Sequence, residues 1–111
     1  MRTITGNITN LTNNYQSQEI EFTFCDKYSN ETILSENSEI IKSKIAITDE
    51  EGNFEIELFE TLKYKDNYHY TMNIDDLNIK IFIPVGMSSI DLFKLFEPLD
   101  NLDQFYEYLN I

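Results

Sequence analysis

The chain is poor in the residues that reactive and cross-linked sites need. It has one cysteine, one histidine, no tryptophan, three glycines and two prolines in 111 residues. A single thiol excludes an internal disulfide framework and any multi-thiolate metal site within the chain. A single imidazole excludes a site that draws two histidines from it. Three glycines leave no Gly-rich phosphate loop. No stretch approaches the ~18 consecutive apolar residues that span a bilayer. The opening Met1-Arg2-Thr3-Ile4-Thr5-Gly6 carries no apolar run of signal-peptide length. The expectation is a protein made in the cytoplasm of its host cell, without a leader.

Positive charge is also scarce. Eight Lys and Arg stand against twenty Asp and Glu, a formal net charge of −12. Binding a phosphate backbone needs cationic neutralisation, so nucleic acid is not an expected partner. Anionic membrane surfaces are excluded on the same ground. What the chain does have is a 41% hydrophobic and 14% aromatic composition, enough for one packed domain.

The dominant pattern is period two, the mark of half-buried strands. Ile20, Phe22 and Phe24 alternate with Glu19, Glu21 and Thr23. Phe54, Ile56 and Leu58 alternate with Asn53, Glu55 and Glu57. Tyr68, Tyr70, Met72 and Ile74 alternate with Asn67, His69, Thr71 and Asn73; Ile79, Ile81 and Ile83 alternate with Asn78, Lys80 and Phe82. Ile4, Gly6 and Ile8 form a weaker run, as do Ile41, Ser43, Ile45 and Ile47. Six strands are expected, or seven with a short one near Ile33.

Asp49-Glu50-Glu51-Gly52 reads as a hairpin turn in which Gly52 takes positive φ, and Asp75-Asp76-Leu77 as another. No helical crossover separates the strands, so parallel pairing is not expected. Strands with one apolar face each must stack in two layers. The fold class read from this is mainly β: an antiparallel Greek-key β-sandwich over residues 1–86, with a short C-terminal α-helical extension over 87–111. The polar stretches Asn10–Gln18 and Asp26–Ser38 are expected to be loops at its ends.

In the extension, Ser88 with Asp91 three residues on has the spacing of a helix start, and the apolar run to Phe96 fits a short helix or a final strand. Asp100 then caps a second helix whose Leu102, Phe105, Tyr106 and Leu109 fall on one face. That face is a candidate partner-binding surface.

Candidate chemistry is thin. Cys25 and His69 are the sole thiol and imidazole, and both fall at outward strand positions. The carboxylates alternate outward along strands or cluster in turns, which fits a solvated face better than an acid–base pair. Asp49, Glu50 and Glu51, like Asp75 and Asp76, lack the spacing of a calcium loop. No metal, cofactor or enzymatic activity is expected. Tyr15, Tyr28 and Tyr64 fall in predicted loops, where tyrosine serves either local packing or an interface.

Thr48-Asp49-Glu50-Glu51-Gly52-Asn53-Phe54-Glu55-Ile56, after the glycine-bearing opening Ile4-Thr5-Gly6-Asn7-Ile8, resembles the carboxypeptidase-regulatory-like (transthyretin-like) Ig-like sandwich. Tyr68-His69-Tyr70 matches the aromatic strand that follows in that family. The resemblance gives Asp49 and Gly52 the turn and makes Phe54 the first large core residue after it. Asn10–Gln18 stands where the family carries a proline-bearing hairpin. Ile81-Phe82-Ile83-Pro84-Val85-Gly86 through Asp91-Leu92 is similar to the ending of such domains in tailed-phage tail-fibre, baseplate-adaptor and other virion proteins. The resemblance implies a non-enzymatic structural or accessory protein of a virion, acting by protein–protein interaction with other virion proteins in a homo- or hetero-oligomer. Two alternatives stand beside it: a glycan- or host-receptor-binding module using the loop tyrosines, and an acidic inhibitor that mimics nucleic acid.

Overall fold

The computed structural model describes residues 1–99. The candidate face Leu102, Phe105, Tyr106 and Leu109 therefore lies outside the described residues. The chain runs β1 (Arg2–Asn7), β2 (Glu19–Cys25), β3 (Leu34–Glu36), β4 (Glu39–Ile41), β5 (Lys44–Ile47), β6 (Asn53–Leu58), β7 (His69–Ile74), β8 (Leu77–Ile81) and β9 (Ile90–Asp91). A 3-10 turn at Thr61–Lys63 joins β6 to β7, and a 3-10 helix at Leu92–Leu99 follows β9.

The protein is mainly β, with several antiparallel sheets. One sheet has the order β6-β1-β9, a second β5-β2-β7-β8, and β3 and β4 form a separate pair. Alternation explains which side chains turn inward. Ile4 with Phe54 and Leu58 comes from the first sheet, and Ile8 from just past the end of β1; Ile20, Phe22, Phe24, Tyr70, Met72, Ile74 and Ile81 come from the second. All are buried in one shared core. The Phe22 and Phe54 rings, one from each sheet, have centroids 6.1 Å apart. Gly6 allows the approach: a Cβ there would lie 2.7 Å from the Phe54 ring and 3.0 Å from Leu92 Cβ.

Several expectations are corrected. The turn at Asp49–Gly52 forms as read, with Gly52 at φ 85°. It closes no hairpin, however. β5 pairs with β2 and β6 with β1, so the turn carries the chain from one sheet to the other. A true two-residue hairpin turn lies at Asp75-Asp76, where Ile74 pairs with Leu77. Parallel pairing also occurs: Ile4 and Thr5 align with Ile90 and Asp91. A long connection through both sheets supplies the crossover that a helix would otherwise provide. The stretch 26–38 is not all loop, since it contains β3 and a bridge between Cys25 and Glu31.

The segment after Gly86 is held by Arg2, whose Nε donates to the Ser88 carbonyl at 2.9 Å and whose Nη1 donates to that of Pro84 at 3.1 Å. That clamp delivers Ile90-Asp91 to the edge of β1, so Ser88 opens no helix. Asp91 instead accepts from the Phe93 N–H at 2.9 Å as the 3-10 helix begins. Leu92 and Leu95 then enter the shared core. Among the described residues the helical segments are 3-10 rather than α.

Candidate functional site

The run Ile41, Ser43, Ile45, Ile47 does not keep one face. β4 ends at Ile41, which is buried, and β5 restarts at Lys44 with the opposite parity. Lys44, Ala46 and Thr48 turn inward; Ile45 and Ile47 turn outward and are 55% and 64% exposed. The inward set is held by polar bonds as much as by packing. Thr48 Oγ1 accepts from the Gln18 N–H at 2.8 Å and donates to the Tyr15 carbonyl. Lys44 Nζ donates to the Glu57 carbonyl at 2.7 Å, tying the edge of one sheet to the edge of the other.

β5 is the last strand of its sheet. The Thr48 N–H donates to the Gln18 carbonyl at 3.0 Å. Hydrogen-bonded pairs alternate along an antiparallel ladder, so Ala46–Ile20 and Lys44–Phe22 exchange bonds across it. Ile45 and Ile47 occupy the intervening positions. Their backbone N–H and C=O groups point to the open side. Across the ladder they stand opposite Glu21 and Glu19, both exposed.

A second cluster occupies the far end of the same outward face. Cys25 and His69 were expected at solvated positions, yet they are 3% and 1% exposed and are direct cross-strand partners. The turn after β2 folds back over them. Asp26 Oδ1 accepts from the Tyr28 N–H at 2.9 Å and the Asn30 N–H at 3.1 Å, and Ser29 takes φ 63°. This brings Ser29 Oγ to 3.4 Å from His69 Nε2, while Nδ1 lies 3.2 Å from the Asn67 carbonyl. With Nδ1–H donating to that carbonyl, Nε2 accepts the Ser29 hydroxyl. The ring packs 5.6 Å from Phe82. Burial lowers the His69 pKa, and the Lys80 charge adds to this; the Asn67 bond and Asp26 oppose it. Cys25 Sγ is held by the Thr23 carbonyl at 3.5 Å and approaches Thr71 Oγ1 at 3.7 Å. These contacts pin the 26–31 turn to the sheet.

A hollow of about 200 Å³ lies beside β3 and β4, lined by residues including Glu36, Glu39, Glu60 and Lys63. Two of its carboxylates are paired: Lys63 Nζ is 2.6 Å from Glu36, and the Met1 amine is 3.8 Å from Glu60. The Lys63 bond holds the Glu36 carboxyl below its ordinary value and raises the ammonium in return. Among the described residues, no group of three or more His, Cys, Asp and Glu is gathered so as to hold a metal ion.

The loop tyrosines do not converge. Tyr15 packs on the core and against Gly52, and Tyr64 packs 5.9 Å from Phe59. Tyr28 is 72% exposed, with Lys27 Nζ 5.1 Å from its ring centre. The turn residues are where the sequence places them. Asp49 Oδ1 accepts from the N–H groups of Glu51 and Asn53, both at 2.9 Å, and Phe54 is buried. The outward Ile45 and Ile47 were missed, because hydropathy alone aligns them with Ile41. The signal available was the polar pair Lys42-Ser43, which interrupts the run. No protein-family model matches the chain, and no curated protein matches it at a significant level.

Proposed function

We propose that the chain is a non-enzymatic interaction module, a structural or accessory protein of a tailed-phage virion. In this reading the layered sheets are a Greek-key sandwich of the transthyretin-like kind. The observation that carries it is the open edge of β5, which turns Ile45 and Ile47 to solvent. Large apolar side chains at an unpaired strand edge are a feature of surfaces that meet another protein. The virion assignment rests on the resemblance of residues 81–92 to the ends of tail-fibre and adaptor domains. The partners are other virion proteins, in a homo- or hetero-oligomer, and Leu102, Phe105, Tyr106 and Leu109 are proposed as a second contact.

The test is mass spectrometry of purified particles from the organism that encodes the chain. The expected result is the chain at a fixed copy ratio to the major tail or capsid proteins. Its absence from the particles overturns the virion reading.

A further inference from the structure

Resting on the interaction-module reading, we infer that β5 is a docking strand that accepts an extended, lysine- or arginine-bearing segment of a partner protein by strand addition. Natural sheet edges are blunted by charge, proline, bulges or a covering element. The other edges follow this rule where they are long enough to matter. β6 turns Glu55 and Glu57 outward, and β8 carries Lys80 and Asn78. The one charged residue of β5, Lys44, points inward and is engaged on the Glu57 carbonyl. Among the described residues no strand pairs with this edge, which leaves the main-chain donors and acceptors of Ile45 and Ile47 directed away from β2, flanked by their exposed side chains. That is the arrangement used in β-augmentation, where backbone bonds supply affinity and alternate side chains supply specificity.

Charge selects the occupant. Glu19 and Glu21 stand across the ladder from Ile47 and Ile45. Asp49, Glu50 and Glu51 lie just past the end of the strand, and Glu55 and Glu57 are on the neighbouring edge. A Lys or Arg on the outward face of an added strand can lay its alkyl stem over an isoleucine and carry its charge toward these carboxylates. A second copy is disfavoured, because it brings the same carboxylates and another −12 of net charge.

The test uses the isotope-labelled full chain and hydrogen exchange read by NMR, with a capped Lys-Val-Lys-Val-Lys-Val peptide as probe. Without peptide, the Ala46 amide exchanges slowly and those of Ile45 and Ile47 exchange fast. At saturating peptide, Ile45 and Ile47 are expected to slow at least about tenfold. The same peptide with Glu in place of Lys is expected to give no protection. Ile47→Pro deletes a free-edge donor without touching the β2 ladder, and is expected to weaken binding at least about tenfold. Ile45→Ser, which keeps the backbone, tests the side-chain contribution and is expected to weaken binding as well. Equal binding of the Glu peptide, or binding that leaves both amides unprotected, overturns the inference. Protection that rises with protein concentration alone identifies a second copy as the occupant and overturns it too. A chain found in particles with these amides still unprotected overturns this inference and leaves the module reading standing.

Discussion

Tyr70 and His69 are neighbours on β7 that face opposite sides of their sheet, and burial acts on them in opposite directions of pH. The Tyr70 oxygen accepts the Phe59 N–H at 2.9 Å inside the core. Burial pushes its pKa up to about 12. The unfolded phenol titrates near 10, so its protonated form is favoured by folding. The associated stability is complete below about pH 10 and is lost as the pH rises towards 12. Tyr70→Phe should flatten that alkaline decline. It should also cost about 1–3 kcal/mol at neutral pH, because the Phe59 donor is left buried without an acceptor. Urea melts of both proteins across the alkaline range check both outcomes.

Burial disfavours the charged form of His69 and lowers its pKa. The unfolded imidazole titrates near 6.5 and takes up its proton more readily than the folded one, whose pKa is lowered. Stability is therefore expected to be complete above about 6.5 and to fall as the pH drops below it. The groups acting on the ring are Lys80, which opposes protonation, and Asp26, which favours it; the Cys25 thiol lies across the ladder. His69→Gln should remove this slope while leaving the decline at lower pH from carboxylates. A urea-melt series between neutral pH and the carboxylate range separates the two.

At the scale of elements, the Asp49 turn shows how far a motif carries. Asp49 beside Gly52 specified a tight turn, and the side chain makes it by accepting two backbone N–H groups. These bonds hold its carboxyl below the ordinary value. Its stabilisation is thus present above the usual carboxylate range and lost as the pH falls through the lowered pKa. Asp49→Ala should lower the thermal midpoint, and Asp49→Asn, which keeps an acceptor oxygen, should lower it less. Calorimetry at neutral pH checks the order. Whether the turn joins strands of one sheet or of two was not legible, because its local bonds are the same in both cases. The strands at 19–25, 53–58 and 69–74 were legible, since each alternates over six or seven residues. β5 was not. Its inward residues are Lys44 and Ala46, with Thr48 just past its end; hydropathy places Lys44 and Thr48 outside, and these two find acceptors at the Glu57 and Tyr15 carbonyls.

At the scale of the whole molecule, a net charge of −12 on one small domain is a self-repulsion that folding concentrates. Raising ionic strength from about 0.01 to 0.1 M shortens the screening length from about 30 to 10 Å. The thermal midpoint should therefore rise with salt over that range, because long-range repulsion is screened more than the short Lys63–Glu36 contact is weakened. A fall in the midpoint would mean that local ion pairs outweigh net charge in this fold.

The amino-acid order determined where the chain extends, which residues enter the core from the long strands, and where it turns at Asp49–Gly52 and Asp75-Asp76. These follow from short-range physics: side chains alternate along an extended backbone, and Gly52 alone relieves the φ that its turn demands. Tertiary structure decided which strands pair, and with that the edge at Ile45 and Ile47, the parallel placement of β9, and the burial of Cys25 opposite His69. Pairing depends on hydrogen bonds between segments far apart in the chain. A backbone N–H carries no mark in its own sequence of which distant carbonyl will meet it, or of whether any will.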